Sequence, residues 1–335
     1  MGRYVIRRVL QGLLTLFGTL FIVHYLMSLA IQIRGNPAAT FFSEKSRPSE
    51  RQLQIVAEMF GTDDPCFEQV GNPCVTIFAE RMGRLAQWDL GTDYKMRSVN
   101  DLLAQALPNT LTIFAITIIV WMIFGIGLGV LAALYRDRFI DHSIRVLTVL
   151  MTAFPTFLVA LLLQQLIGIS LGNWLKGIFG ADSVIAMIVR PTFNQDEPWL
   201  SGLLPGMILG MLGVAALARL MRTSLLENLG SDFVRTARAK GLAPRRVLVV
   251  HAIRNSLIPV VTVVGGSFGA AIGGAVITET IFNIRGVGLL MINATRTSDM
   301  SIVISIVTLS VILIITVNLI VDLLYATLDP RIRYE

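Results

Sequence analysis

D-F-V-R-T-A-R-A-K-G-L-A-P-R-R-V-L-V-V-H-A-I-R-N-S-L-I-P, residues 232–259, is a basic, helix-forming stretch set inside a strongly apolar chain. Its local signals describe two short amphipathic helices. Ser231 or Asp232 can cap the first, and Gly241 can end it in the left-handed conformation. Pro244 suits the first turn of the second. Around it stand Arg222, Arg235, Arg238, Lys240, Arg245, Arg246 and Arg254, against Glu227 and Asp232. Such an excess of positive charge between apolar runs marks a loop on the cytoplasmic side of a membrane.

The rest of the chain supplies those runs. With 335 residues, 54% of them hydrophobic and 15% charged, it is too apolar to cover a soluble surface, so the fold class is an all-α polytopic membrane protein. The net charge of +6 is carried mostly by short inter-span loops, which is the pattern of membrane orientation and not of nucleic-acid binding. No G-x-x-x-x-G-K-[ST], H-E-x-x-H or G-x-S-x-G motif occurs. Uphill movement of a solute therefore needs energy from a partner or an ion gradient.

Six spans are expected: 9–33, 102–134, 143–171, 201–220, 257–281 and 301–324. Arg3, Arg7 and Arg8 place the amino terminus in the cytoplasm, and an even number of spans returns the carboxyl terminus there. The first run is longer than a signal-peptide core and is read as an uncleaved helix. Residues 1–33 thus form the amino terminus and first span, 34–101 a polar external subdomain, and 102–335 a five-helix core with the cytoplasmic loop 223–256. In the subdomain, residues 49–60 carry helical spacing of Leu53, Val56, Ala57 and Phe60. Cys66 and Cys74 lie there, on the oxidising side, and are expected to form a disulfide; unpaired thiols are the alternative, and no nearby His favours a metal.

Charged residues in the spans, the usual sign of ion coupling, are almost lacking. Arg219, Arg222 and Asp322 fall near inner span ends, and Asn318 and Asp322 share a helix face. His24, His142 and His251 are separated in sequence and are read as packing or interfacial residues. Pro155, expected at the middle of the third span, marks a bend or hinge. Gly265, Gly266, Gly269, Gly273 and Gly274 make the fifth span either a close-packing helix or one that lines a solute path. Gly125, Gly127 and Gly129 offer close helix approach in the second.

The stretch 232–241 resembles the cytoplasmic coupling loop, the EAA loop, of ATP-binding-cassette importer permeases in the dipeptide, oligopeptide and nickel branch. There it commonly reads D-[YF]-[VI]-R-T-A-R-A-K-G. Arg235, Thr236 and Ala237 fall on the Glu-Ala-Ala positions, and Gly241 on the loop's glycine. The start R-Y-V-I-R-R-V-L-Q, G-N-P-A at 35–38, L-G-T-D-Y at 90–94, L-P-N-T-L at 107–111, E-T-I-F at 279–282 with Gly286 and Gly288, and N-L-I-V-D-L-L-Y-A-T-L-D-P-R-I-R at 318–333 are similar to the branch in the same order. Arg285 stands where the branch has Pro, Asp299-Met300-Ser301 where it has D-Y-P, and the insert around the cysteines is longer than the branch's minimal form.

The resemblance implies a type I importer permease fold in a bacterial or archaeal plasma membrane. It implies a homologous second permease subunit, one or two cytoplasmic ATPase subunits that hold ATP and Mg, and an external substrate-binding protein that delivers a di- or oligopeptide. This chain would hold no cofactor and would be no enzyme by itself. Asp232, Arg235, Thr236, Ala237, Arg238, Ala239, Lys240 and Gly241 would dock on the ATPase. A nickel chelate or a glutathione-like solute is the alternative cargo. An ion-coupled carrier and a membrane enzyme are the readings that the sequence supports least.

Overall fold

A computed structural model describes residues 2–34, 49–60, 63–93, 95–297 and 299–328. G-N-P-A at 35–38 and the carboxyl-terminal D-P-R-I-R lie outside them, as do the side chains of residues 268–274 and of Asp322. Helices make up most of the described chain. Besides short ones at Pro65–Glu68 and Pro198–Ser201, they are α1 (Gly2–Arg34), α2 (Glu50–Phe60), α3 (Val75–Ala86), and α4, in which Val99–Val120, a wider π-helical turn at Trp121–Gly125 and Ile126–Leu134 run on without a break. They continue as α5 (Phe139–Ala153), α6 (Thr156–Phe179, with a π-helical stretch at Gln164–Leu171), α7 (Val184–Ile188) and α8 (Leu203–Leu229). Then come α9 (Asp232–Ala239), α10 (Pro244–Gly266, π-helical at Val247–Ile253), α11 (Phe268–Ile281), α12 (Val287–Arg296) and α13 (Met300–Leu328).

Among the described residues, five helical stretches are long and apolar enough to cross a membrane: Val9–Ile33, Val99–Leu134, Thr156–Phe179, Pro244–Gly266 and Ser301–Ile320. The pair Pro198–Met211 and Gly213–Leu229, bent by 53°, makes a sixth where it is one broken span rather than a re-entrant loop. The all-α, multi-pass architecture is that expected, but two span boundaries differ. The third span is not 143–171. Phe154 and Pro155 are extended, with ψ of 144° and 132°, so the chain breaks into α5 and α6 and the apolar crossing lies at 156–179. A proline lacks the amide that would continue the ladder and pushes the preceding residue out of the helical region. The fifth span is not 257–281. Helix begins at Pro244 and runs on as α10, with Pro259 inside it, and stops at Ser267 before α11, so the stretch long and apolar enough to cross lies at Pro244–Gly266. The second helix of the basic loop is therefore continuous with an apolar stretch long enough to cross and is not a short separate element. The wide π turn lies just ahead of Pro259, which fits a ladder that loosens to admit a missing donor.

The chain divides into two compact units, residues 1–107 with 289–315, and 108–288 with 316–335. In the first, the carboxyl-terminal half of α1 holds the segment that follows α2. Phe78 of α3 is buried and packs edge-on against Phe17 and Phe21, with ring centroids 5.3 and 5.2 Å apart. His24 is buried as expected of a packing residue: its Nε2 lies 3.1 Å from the Cys74 carbonyl and its Nδ1 3.4 Å from Arg81 Nη1. Cys66 and Cys74 form the expected disulfide. Gln32 grips that loop, donating to the carbonyl of Asn72 (2.7 Å) and accepting from the amide of Gly71 (2.8 Å). Helix α2 forms where the apolar spacing predicted it, and Ser49 and Gln52 cap it reciprocally.

The second unit is organised by α4 and α8. Near the start of α8, its Gly206, Gly210 and Gly213 face Ile116, Val120 and Trp121 of α4. Further along, the roles reverse: Gly125 and Gly129 of α4 face Leu217 and Met221 of α8. A Cβ at Gly129 would lie 2.6 Å from Met221 Cβ and 2.7 Å from the Ala218 carbonyl. Trp121 Nε1 donates to the Gly210 carbonyl (2.9 Å) and Thr117 Oγ1 to that of Gly206 (3.2 Å). Lipid is as apolar as leucine, so such close packing and backbone-directed hydrogen bonds are what holds two spans together. Gly127 has open space at its Cβ position. Gly129→Val should therefore destabilise the protein by about 1–3 kcal/mol, while Gly127→Ala leaves it unchanged, as read from thermal unfolding in detergent.

Candidate docking site

Helix α9 is short, and its ends are made by different means. Ser231 occupies the N-cap position, but its hydroxyl donates back to the Asn228 carbonyl and does not cap the helix; Asp232 is the first helical residue. At the other end the amide of Gly241 donates to the Arg238 carbonyl (2.9 Å) and that of Leu242 to the Ala237 carbonyl (3.3 Å). These are the two bonds of a Schellman motif. Gly241 has φ of 74°, the left-handed conformation expected from the sequence. Its surroundings are open, so the demand for glycine comes from the backbone and not from crowding.

One face of α9 belongs to the chain itself. Val234 and Ala237 are buried in the same apolar cluster as Val247 and Ala252 of α10. Ala237 therefore serves internal packing, and the small residue left on the outer face is Ala239. Asp232, Arg235, Thr236, Arg238, Ala239, Lys240 and Gly241 are exposed, continued by Arg245 and Arg246 at the start of α10. Arg235 and Asp232 form an ion pair at 3.6 Å with both side chains exposed, which is worth little in water. The outer face is thus a basic ridge of about two turns, carried on an apolar foot.

The foot is fastened to two spans. Leu229 ends α8 two residues before Ser231, so α9 hangs directly from it. Asn228 Nδ2 donates to the hydroxyl of Ser256 in α10 at 3.0 Å. One turn and a half earlier on α8, Arg222 makes a bidentate pair with Asp141 of α5: Nε to Oδ1 and Nη2 to Oδ2, both 2.7 Å. Asp141 is fully buried, also accepts the amide of Asp137 (3.0 Å), and has Arg145 Nε at 3.4 Å. Arg219 Nη1 adds a bond to the Thr148 carbonyl of α5 (3.3 Å). Removing one partner of such a buried pair typically costs about 3–5 kcal/mol. The sequence placed Arg222 at an inner span end, but 81 residues separate it from Asp141 and nothing local pairs them.

A second buried carboxylate sits at the far end of α11. Glu279 is fully buried and accepts from Thr110 Oγ1 at 2.7 Å; that hydroxyl in turn accepts the amide of Val287 (2.8 Å). Side chains at Gly286 and Gly288 would collide with the Glu279 carboxylate. Asn109 Nδ2 donates to the Arg285 carbonyl at 2.9 Å. L-P-N-T-L and E-T-I-F…G-x-G, about 170 residues apart, are therefore one structural cluster. Arg285, where the branch has Pro, is exposed and contributes a carbonyl that any residue could supply. Glu279 lies within the expected span 257–281 but beyond the apolar stretch found at Pro244–Gly266. Asp299, the other departure, is buried and caps α13 through Ile302 N.

Of the proposed path residues, Pro155 lies at the α5–α6 break, Gly265 is buried, and Gly266 has open space around it. Gly269, Gly273 and Gly274 fall within α11, and what surrounds them lies outside the described residues.

The Asp141 carboxyl is held down at about 2, first by its hydrogen bonds from Arg222, against the opposing effect of burial. Its pKa in the fold lies below the unfolded value of about 3.9. The stabilisation is therefore complete above about pH 4 and lost as pH falls toward 2. Asp141→Asn should flatten the loss of thermal stability between about pH 4 and pH 2, measured as melting temperature across that range.

Residues 125–334 match the family model described as "Binding-protein-dependent transport system inner membrane component". Over the whole of both chains, the protein is 34% identical to the Glutathione transport system permease protein GsiC of Escherichia coli O6:H1. It is 34% identical to the Oligopeptide transport system permease protein OppB of Haemophilus influenzae, again over the full length of each. The GsiC protein of Shigella flexneri serotype 5b is 33% identical over the same extent. The chain therefore belongs to the binding-protein-dependent transport system inner membrane components, the permease subunits of ATP-binding-cassette importers.

Proposed function

We propose that this permease forms half of an import path for short peptides, glutathione among them, and takes its driving energy through α9. The observation that carries the coupling role is the outward basic ridge of α9 on an apolar foot locked to α8 and α10. Arg235, Arg238 and Lys240 present fixed charge for carboxylates or helix carboxyl ends of an ATPase subunit. Ala239 gives room for close backbone approach. ATP and Mg belong to that partner. A second permease completes the path, and an external binding protein presents the solute. On this reading α9 and both termini are cytoplasmic, in agreement with the clustered arginines.

Glutathione and oligopeptides, the cargoes in the relatives' names, share a free carboxylate, an ammonium group and amide bonds, so one path chemistry serves both. The buried carboxylates do not suggest ion coupling. Asp141 is neutralised by Arg222, and Glu279 is enclosed by Thr110 and two glycines. A state-dependent contact between α9 and the ATPase shifts the balance between inward- and outward-open forms, because a ligand that binds both equally moves neither.

Two measurements test this. The complete transporter, reconstituted in vesicles, should accumulate labelled glutathione or trialanine only with ATP and the binding protein. Accumulation by this chain alone would overturn the reading. Gly241→Val forces a β-branched residue into the left-handed region at a cost of about 1–2 kcal/mol. It should lower peptide moved per ATP, while Gly241→Asn, which tolerates that conformation, should keep it. Equal behaviour of the two variants would remove the turn from the coupling mechanism.

A further inference from the structure

We propose that the Asp141–Arg222 pair is the clamp through which displacement of α9 reaches α5, and that the extended pair Phe154–Pro155 is the hinge at the far end of that lever. The proposal rests on the coupling reading of α9 and extends it to residues outside the loop.

Helix α8 continues within two residues into α9, so the two move as one piece at their junction. Packing of α8 on α4 is apolar and close, but α5 lies beyond a turn, Tyr135–Arg138, in which Asp137 is left-handed at φ of 60°. That turn alone would let α5 swing. Besides its packing against α8 and the end of α4, where Ile144 is buried, three polar contacts fix it: the two 2.7 Å bonds from the Arg222 fork to Asp141 and the bond from Arg219 to the Thr148 carbonyl. A planar guanidinium held at two points fixes rotation as well as distance, which a single ion contact or an apolar contact would not. The amide of Asp137 on the same carboxylate ties the turn itself into the joint.

The other end of α5 is made differently. Phe154 and Pro155 are both extended, and α6 starts afresh from the Pro155 carbonyl, which accepts the amides of Leu158 (3.0 Å) and Val159 (3.2 Å). No intrahelical ladder crosses the break, since Pro155 has no amide to give. A segment clamped at one end and jointed at the other passes motion on as a change of angle, which is how hinge closure works where a few terminal residues absorb the backbone change. Mere stabilisation is the weaker account of the pair: well-packed apolar residues of similar volume often stabilise as much or more. What the charged fork adds is fixed geometry.

The test uses the complete transporter with both permeases, the ATPase and the binding protein. Spin labels are placed at Val146→Cys and Leu166→Cys, both exposed and on opposite sides of the break; the two native cysteines are already joined. In the native background, ATP with vanadate should change the distance between the labels by about 2–5 Å. Asp141→Asn and Arg222→Lys, which keeps the charge and loses the fork, should each abolish that change. They should also lower trialanine moved per ATP by about 5–150-fold, while hydrolysis continues. The double exchange Asp141→Arg with Arg222→Asp should restore part of both.

Should Asp141→Asn fail to assemble, Arg222→Lys decides alone. An unchanged distance in the native complex during hydrolysis overturns the hinge. A normal change in Arg222→Lys overturns the clamp. Loss of transport and hydrolysis in equal proportion in every variant assigns the pair to folding only, and also overturns it. A native complex that hydrolyses no ATP would instead refute the importer reading on which the proposal stands.

Discussion

The approach of α4 and α8 backbone to backbone is the constraint on which the second unit depends. Between two spans there is no water to expel, so burial of apolar surface contributes little and fit must replace it. The chain achieves the fit by exchanging roles along the interface. Gly206, Gly210 and Gly213 of α8 admit large residues of α4, and Gly125 and Gly129 of α4 admit large residues of α8. Trp121 and Thr117 then bond to carbonyls that only a missing side chain leaves within reach. Because α8 is fixed in this way, its end is a firm support from which α9 projects.

Polar groups inside this apolar frame are placed where each has a partner. Asp141 meets Arg222, Glu279 meets Thr110, and His24 meets a carbonyl and an arginine. Burial without such partners would be costly. Each pair also joins segments far apart in sequence, so the polar contacts define which helix faces which. In the first unit the disulfide loop is held by Gln32 in the same manner, by one side chain that both donates and accepts.

Two of the prolines that lie within the expected spans show how context decides a local signal. Pro155 ends one helix and starts another, and Pro259 stays inside a helix. Both remove a donor. At Pro259 the helix is already widened by the preceding π turn, whereas at Pro155 the preceding residue is extended. Hydropathy counts apolar residues and is blind to this difference, which is why it set the third span at 143–171 and the fifth at 257–281. The glycine that ends α9 was readable because φ above zero is a property of one residue. The burial of Ala237 was not, because it depends on Val247 and Ala252 across a turn.

By itself the sequence determined the membrane class, the place of α9 and the glycine that ends it, and it pointed to the pairing of the two cysteines that the structure shows. Each follows from local chemistry: hydropathy over a span length, the missing side chain of one glycine, two thiols a few residues apart. Only the tertiary structure decided that Arg222 belongs to Asp141, that Glu279 closes on Thr110 and Gly286, and that α9 turns Val234 and Ala237 inward. Those choices depend on which distant segment lies opposite, and a linear pattern of charge and apolarity carries no record of that.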